Sequence, residues 1–304
     1  MEGLLFWVIH PVAGDRLPLR LQALHTSVRK GERQKMNSGK LLIIGGNEEK
    51  CTEGDILSLF IQLSMERGGP VGILPAASQI PDEVSRDYIK VFRNLGAEEI
   101  KVLAVDTREK ADDPSILGTT SELGALFITG GDQKRLSDLI RGSKLHTLLM
   151  EKWRSGMHIG GTSAGASIMG EDMIIYSEMK NNDEERLVIE MGKGFGFEKN
   201  LLIDQHFSQR ARFGRLIGAI AENKELVGIG IDENTAILVN GKQFEVIGEH
   251  QVFVIDGLNG SLVDFVRSEN GGEELTITDF KLHALTDGYS FNLSTRKIMK
   301  RKEA

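Results

Sequence analysis

The sequence predicts an α/β protein: a doubly wound, mostly parallel sheet with a β-rich C-terminal extension. Three observations predict it. Short apolar runs alternate with amphipathic stretches at intervals of about 30 residues, the spacing of strand–helix–strand units. Glycine pairs close several of the apolar runs. After Ile237 the texture changes to short alternating segments separated by turn residues.

Leu41 to Ile44 is a continuous apolar run closed by Gly45-Gly46, the pattern of a strand buried on both faces. "EGDILSLFIQLSMERGG" then spaces its apolar residues as a helix and stops at a glycine pair. "PVGILPAA" is a second buried strand, and "PDEVSRDYIKVFRNLG" a second helix closed by Gly96. "EEIKVLAVD" and "GALFITGGDQ" are the third and fourth strands, and "QKRLSDLIRGSKLHTLLMEKWRSG" is helical. "MHIGG" is a strand leading into "GTSAGASIMG", where another helix begins. Leu201 to Ile203 and "LVGIGI" read as further short buried strands. Beyond Ile237, "TAILVNGKQFEVIGEHQVFVIDG" reads as antiparallel strands packed on the main domain, with "NGK" and "DGLNG" as hairpin signals. Ligands of a doubly wound sheet collect at the carboxyl ends of its strands. Gly45-Gly46, Gly130 to Gln133 and Gly160 to Gly165 all fall at such ends.

The 304 residues suffice for one large domain or a domain with a small appendage. The expected layout is an N-terminal extension over 1–39, a single α/β domain over 40–299 whose part from about 237 is β-rich, and a charged tail over 300–304. The extension is weakly patterned. It reads as a flexible or docking arm, or as an artefact of start-site choice with Met36 as the start. It lacks a basic segment ahead of its apolar stretch, which His10 and Pro11 interrupt, so it does not read as a secretion signal. The formal charge of −7 argues against non-specific binding to nucleic acid or an anionic membrane. No run approaches the ~18 apolar residues of a membrane span. The one cysteine, Cys51, excludes an internal disulfide and a cysteine-rich metal site, and suits a small apolar filler in a cytoplasmic protein. No metal and no cofactor is expected.

The chemistry concentrates around Ser163, in Gly161-Thr162-Ser163-Ala164-Gly165, which matches the G-x-S-x-G nucleophile elbow. A serine on a sharp strand-to-helix turn is strained, and flanking glycines let neighbouring chain pass without a Cβ clash. The helix that follows aims its first amides at the serine, ready for an oxyanion. A nucleophilic serine needs a base, and His206 in "LLIDQHFSQRARFGRL" stands just past a strand end. His10 and His25 lie in the extension, His146 on a helix, His158 inside a strand, and His250 and His283 in the β-rich part. The imidazole needs an acid to fix its tautomer. "GIGIDENTAI" offers Asp232 and Glu233, and spacing leaves both open. The order Ser, His, acid is not that of the α/β-hydrolases.

"LLIIGG", "ITGGDQ", "GGTSAGASIM", "MGKGFGF", "DQHFSQRARFGRL" and "GIGIDENTAI", in this order, resemble the cyanophycinase family of serine peptidases. That family is related to the aspartyl dipeptidases (peptidase E) on a flavodoxin-like fold similar to class I glutamine amidotransferases. The likeness spans roughly residues 40 to 299, and its most specific part is "DQHFSQRARFGRL". It implies hydrolysis of cyanophycin, a poly-aspartate with arginine on its side-chain carboxyls, at the α-peptide bond to release β-Asp-Arg. It implies Ser163 as nucleophile, His206 as base and Glu233 as acid. It also implies a pocket of Gln133, Asp204, Gln205, Arg210, Arg212 and Arg215, and a homodimer. Such a substrate carries both signs of charge. Three arginines within "RARFGR" suit its carboxylates by bidentate bonds, and Asp204 suits either a substrate guanidinium or the bracing of those arginines. The oxyanion would fall to the N–H groups of Ala164 and of Gly131 or Asp132. An α-aspartyl dipeptidase and a silent binder of acidic or Asp-Arg ligands are the alternatives. A glutamine amidotransferase is disfavoured, because that chemistry uses a cysteine where this elbow carries Ser163.

Overall fold

The computed structural model describes residues 38–50, 54–182, 184–267 and 273–299. Cys51, the tail over 300–304 and the extension up to residue 37 lie outside them. The first half alternates as its periodicity predicts. The order is β1 (Leu41–Ile44), α1 (Asp55–Arg67), β2 (Val71–Leu74), α2 (Pro81–Asn94), β3 (Ile100–Val102), α3 (Pro114–Glu122) and β4 (Ala125–Ile128). Then come α4 (Gln133–Ile140), α5 (Lys144–Arg154), β5 (His158–Thr162) and α6 (Ala164–Ser167). The helical stretch expected after β4 is two helices. The chain turns between them, and the Ser143 hydroxyl caps α5 by accepting from the His146 N–H at 3.0 Å. The α3 helix was not anticipated, although its start is marked. Pro114 opens its first turn, and Asp113 caps it by accepting from the Ser115 N–H at 2.7 Å.

The remaining elements are β6 (Asp172–Asn182), β7 (Glu184–Lys193), β8 (Leu201–Gln205), α7 (Phe213–Glu222), β9 (Val227–Ile231), β10 (Thr235–Asn240) and β11 (Gln243–Gly248). They end with β12 (Val252–Asp256), β13 (Ser261–Arg267), β14 (Glu273–Thr278), β15 (Lys281–Leu285), β16 (Ser290–Asn292) and β17 (Lys297–Met299). The central sheet runs β17-β16-β11-β10-β1-β5-β4-β2-β3. Its β1-β5-β4-β2-β3 part is parallel, and β10 adds antiparallel beside β1. A second sheet runs β15-β12-β9-β8, with β8 and β9 parallel. The expected C-terminal block is therefore divided: β10, β11, β16 and β17 extend the central sheet, while β12 and β15 complete the second. The β6–β7 hairpin was not read from the sequence.

Strands β1, β2 and β4 are buried on both faces, which explains their unbroken apolar runs, whereas the edge strand β3 is partly exposed. Phe60 of α1, Tyr88 and Phe92 of α2 and Phe127 of β4 pack as one aromatic cluster. Phe127 sits at its centre, with ring centroids 5.2, 4.8 and 5.3 Å from those of Phe60, Tyr88 and Phe92. This cluster fixes α2 on the sheet and carries the Tyr88 hydroxyl toward the end of β1. Phe127→Ala should cost about 3–5 kcal/mol, read as a lower midpoint in urea unfolding; a loss below about 1 kcal/mol would contradict this packing.

Candidate active site

The serine is built by the end of β5. Ser163 has φ 53° and ψ −112°, in a region that L-residues avoid, and its N–H is held by the Ile44 carbonyl of β1 at 3.1 Å. The turn is so tight that a Cβ on Gly165 would lie 2.2 Å from the Ile128 carbonyl oxygen, so this place needs glycine. The elbow helix is a single turn, α6, after which the chain leaves for β6.

The histidine comes from the other sheet. His206 follows β8, has φ 45°, and donates its N–H to the Gly45 carbonyl at 2.8 Å. Its Nε2 stands 3.0 Å from Ser163 Oγ, and its Nδ1 2.6 Å from Glu233 Oε1. Gly46 lies against the ring: a Cβ there would come within 2.3 Å of Cε1. Glu233 Oε2 accepts from Asn47 Nδ2 at 3.2 Å, and the Glu233 N–H donates to Gln209 Oε1 at 3.3 Å. The choice left open by spacing thus falls to Glu233. Asp232 is buried and accepts from the Ser208 N–H at 2.9 Å and the Gln251 N–H at 3.4 Å, tying loops together.

Burial holds the His206 imidazole below its usual pKa. Glu233 pulls it up in part, while Arg210 and Arg212 push it down. Glu233 is held below the ordinary carboxylate range, chiefly by its hydrogen bond from His206. At neutral pH the ring is therefore neutral and the carboxylate charged, the state in which a ring nitrogen can accept a proton from serine.

Opposite the serine, Gly130 leaves room: a Cβ there would lie 3.3 Å from Ser163 Cβ. Of the expected oxyanion donors, the Asp132 N–H is engaged, donating to the Ala77 carbonyl at 2.9 Å. The Asp132 side chain caps α4, accepting from the Lys134 and Arg135 N–H groups. The amides of Ala164 and Gly131 carry no such bond among the described residues.

The expected pocket residues divide sharply. Arg210 is exposed and lines a cavity of about 670 Å³ together with Ser163, His206, Glu233, Asn47, Glu48, Lys50 and Tyr88. Gln205 Oε1 lies 3.5 Å from Ser163 Oγ. Gln133 donates through Nε2 to the Ile174 and Ile175 carbonyls at 3.0 and 3.2 Å, holding β6 against α4. Of the two roles open to Asp204, the structure shows the bracing one: β8 directs it inward, where it is 1% exposed, and Arg215 is buried against it. Its oxygens accept from Arg215 Nε at 2.6 Å and from Arg215 Nη2, and Oδ1 also from Arg212 Nη1 at 3.3 Å. Arg212 is half-buried and donates to the Gln205 carbonyl at 2.5 Å. Burial and the neighbouring arginines lower its pKa to about 10, against the pull of Asp204.

Asn47, Glu48, Lys50 and Tyr88 were missed. For the first three, the polar run "NEEK" directly after Gly45-Gly46 was the available signal. Among the described residues no group of three His, Cys, Asp or Glu side chains could hold a metal, and no helix is long and apolar enough to cross a membrane.

The model of peptidase family S51 matches residues 41–247 of this chain. A cyanophycinase of Synechococcus elongatus is 34% identical over 264 residues, 86% of this chain and 81% of the relative. A cyanophycinase of Geminocystis herdmanii is 33% identical over 263 residues, 85% of this chain and 95% of the relative. Among solved structures, a peptidase from an acI-B1 actinobacterium matches with a TM-score of 0.64 at 22% identity, over 85% of this chain and 98% of that one. That last likeness concerns the fold.

The division of the arginines can be measured. Asp204→Ala leaves Arg215 buried without its carboxylate and should cost about 3–5 kcal/mol in urea unfolding. Arg210→Ala should stay within about 0.5 kcal/mol of the parent. Equal effects would contradict the division.

Proposed function

This chain belongs to peptidase family S51, and we propose that it is a cyanophycinase in which Ser163 attacks the aspartyl α-peptide carbonyl of the polymer. The observation that carries this reading is the unbroken line from Ser163 Oγ to His206 Nε2 at 3.0 Å and from His206 Nδ1 to Glu233 Oε1 at 2.6 Å. It stands in a chain 34% identical to a cyanophycinase over 86% of its length.

The neutral His206 Nε2 takes the Ser163 proton as Oγ bonds to the carbonyl carbon. Glu233 holds the tautomer with Nδ1–H pointing at the carboxylate and stabilises the imidazolium that forms. The carbonyl oxygen gains charge opposite the Ala164 and Gly131 amides. Collapse of the tetrahedral species expels the amine, which receives the proton from His206 and leaves an acyl ester on Ser163. Water, deprotonated by the same ring, then releases the acyl group. Arg210, on the cavity wall, is suited to a substrate carboxylate. Resemblance to the family is also the ground for expecting a homodimer, and the single cysteine, Cys51, is the ground for expecting a cytoplasmic location.

Ser163→Ala should lower release of soluble dipeptide from insoluble polymer by about 10⁴-fold or more while thermal unfolding is unchanged. Turnover of Asp-X dipeptides with none of the polymer would replace this reading by an α-aspartyl dipeptidase. Retained activity in the variant would remove Ser163 from its role.

The pH dependence has a definite sign. A base must be deprotonated, so kcat/KM should fall as pH drops through the His206 pKa, which burial places below the usual histidine value. Glu233 raises that pKa, so Glu233→Gln should lower the plateau and move the acid limb to still lower pH. A limb that stays in place would argue against the His206–Glu233 coupling.

A further inference from the structure

Glu48 is a carboxylate with a place in the fold that the proposed mechanism does not use. It is 5% exposed, follows β1, and lines the same cavity as Ser163. Its Oε1 accepts from the Tyr88 hydroxyl and its Oε2 from the Thr162 hydroxyl at 2.5 Å. Both donors are neutral. No Lys, Arg or His nitrogen among the described residues forms an ion pair with it. Burial and the neighbouring Glu48 charge push the Tyr88 phenol well above its usual pKa, so it remains a donor. Lys50 sends its ammonium to the face of the Tyr88 ring, 4.6 Å from the centroid, so a cation is already accommodated in this wall.

A buried carboxylate is costly without a cationic partner. Each of its oxygens has a second lone-pair direction, and the cavity supplies the way in. From these facts we infer that Glu48 is the anchor of a subsite for an arginyl guanidinium of the substrate, beside the serine and distinct from the buried Asp204–Arg215 pair. The planar fork of a guanidinium can bond a carboxylate by two N–H groups, and Glu48 offers its oxygens to the cavity, while the Tyr88 ring is already taken by Lys50 and the aromatic cluster. Arg210 in the same cavity leaves the opposite charge for a substrate carboxylate. The inference deepens the cyanophycin reading and rests on it.

Glu48 also braces Thr162, the residue before the nucleophile, so the test must separate bracing from recognition. The probe is a short oligo-aspartate carrying arginine on every side-chain carboxyl, compared with its citrulline counterpart, which keeps the shape and loses the charge. Binding is measured by titration calorimetry in the Ser163→Ala background. The arginine oligomer should bind about tenfold tighter or more. Adding Glu48→Gln should shrink that preference to about twofold with citrulline affinity unchanged, and Glu48→Asp should restore most of it. An undiminished preference in the Glu48→Gln protein, an equal weakening of both ligands, or no preference in the Ser163→Ala protein itself would each overturn the subsite. Failure of the unmodified protein to hydrolyse the arginine oligomer, with the binding pattern intact, would remove the hydrolytic reading and leave the subsite standing.

Discussion

The hydrogen bond from the His206 N–H to the Gly45 carbonyl, 2.8 Å long, joins the two sheets at the point where the site is built. Ser163 belongs to the central sheet through β5, whereas His206 and Glu233 follow β8 and β9 of the second sheet. The distance between serine and imidazole is therefore an inter-sheet distance. Three further contacts fix it from the β1 side: Asn234 N–H to the Gly46 carbonyl, Glu49 N–H to the Asn234 side chain, and Asn47 to Glu233. Residues 45 to 49, directly after the first strand, thus touch Glu233, His206 and, through Glu48 and Thr162, the approach to Ser163. Proper spacing of the reacting groups depends on this seam.

Charge is partitioned on either side of the seam. Asp204 and Arg215, with Arg212 beside them, form a buried network under β8 whose members satisfy one another. Such a network holds Gln205, the residue before His206, by its N–H and its carbonyl. Arg210 and Glu48 face the cavity instead. The cavity wall thus carries both signs of charge, Arg210 and Lys50 with Glu48 and Glu233, as the proposed zwitterionic substrate requires.

Much of this was legible in the sequence for a physical reason. Parallel strands buried on both faces leave uninterrupted apolar runs, and a nucleophile elbow needs small residues at fixed offsets around Ser163. His206 stood out because it follows such a run. What periodicity could not carry was sheet membership: "LLID" and "VGIGI" look alike whichever sheet they join. The sorting of Asp232 from Glu233 was also invisible to spacing and came from family resemblance; in the structure the first ties loops and the second meets the imidazole. Family resemblance put Asp204 and Arg215 among the pocket residues, and a sequence does not tell an inward-facing ion pair from a solvent-facing one. The β6–β7 hairpin escaped because its strands are rich in charged residues.

The seam delivers His206 to Ser163, and in the proposed reaction an acyl ester forms on that serine. The most direct measurement is rapid acid quenching during turnover of the arginine-bearing polymer, followed by peptide mass analysis. An aspartyl acyl adduct is expected on the peptide containing Ser163, absent when Ser163 is alanine. Product release at full rate with the adduct on another residue, or with no adduct on Ser163 under conditions that trap acyl esters, would contradict it.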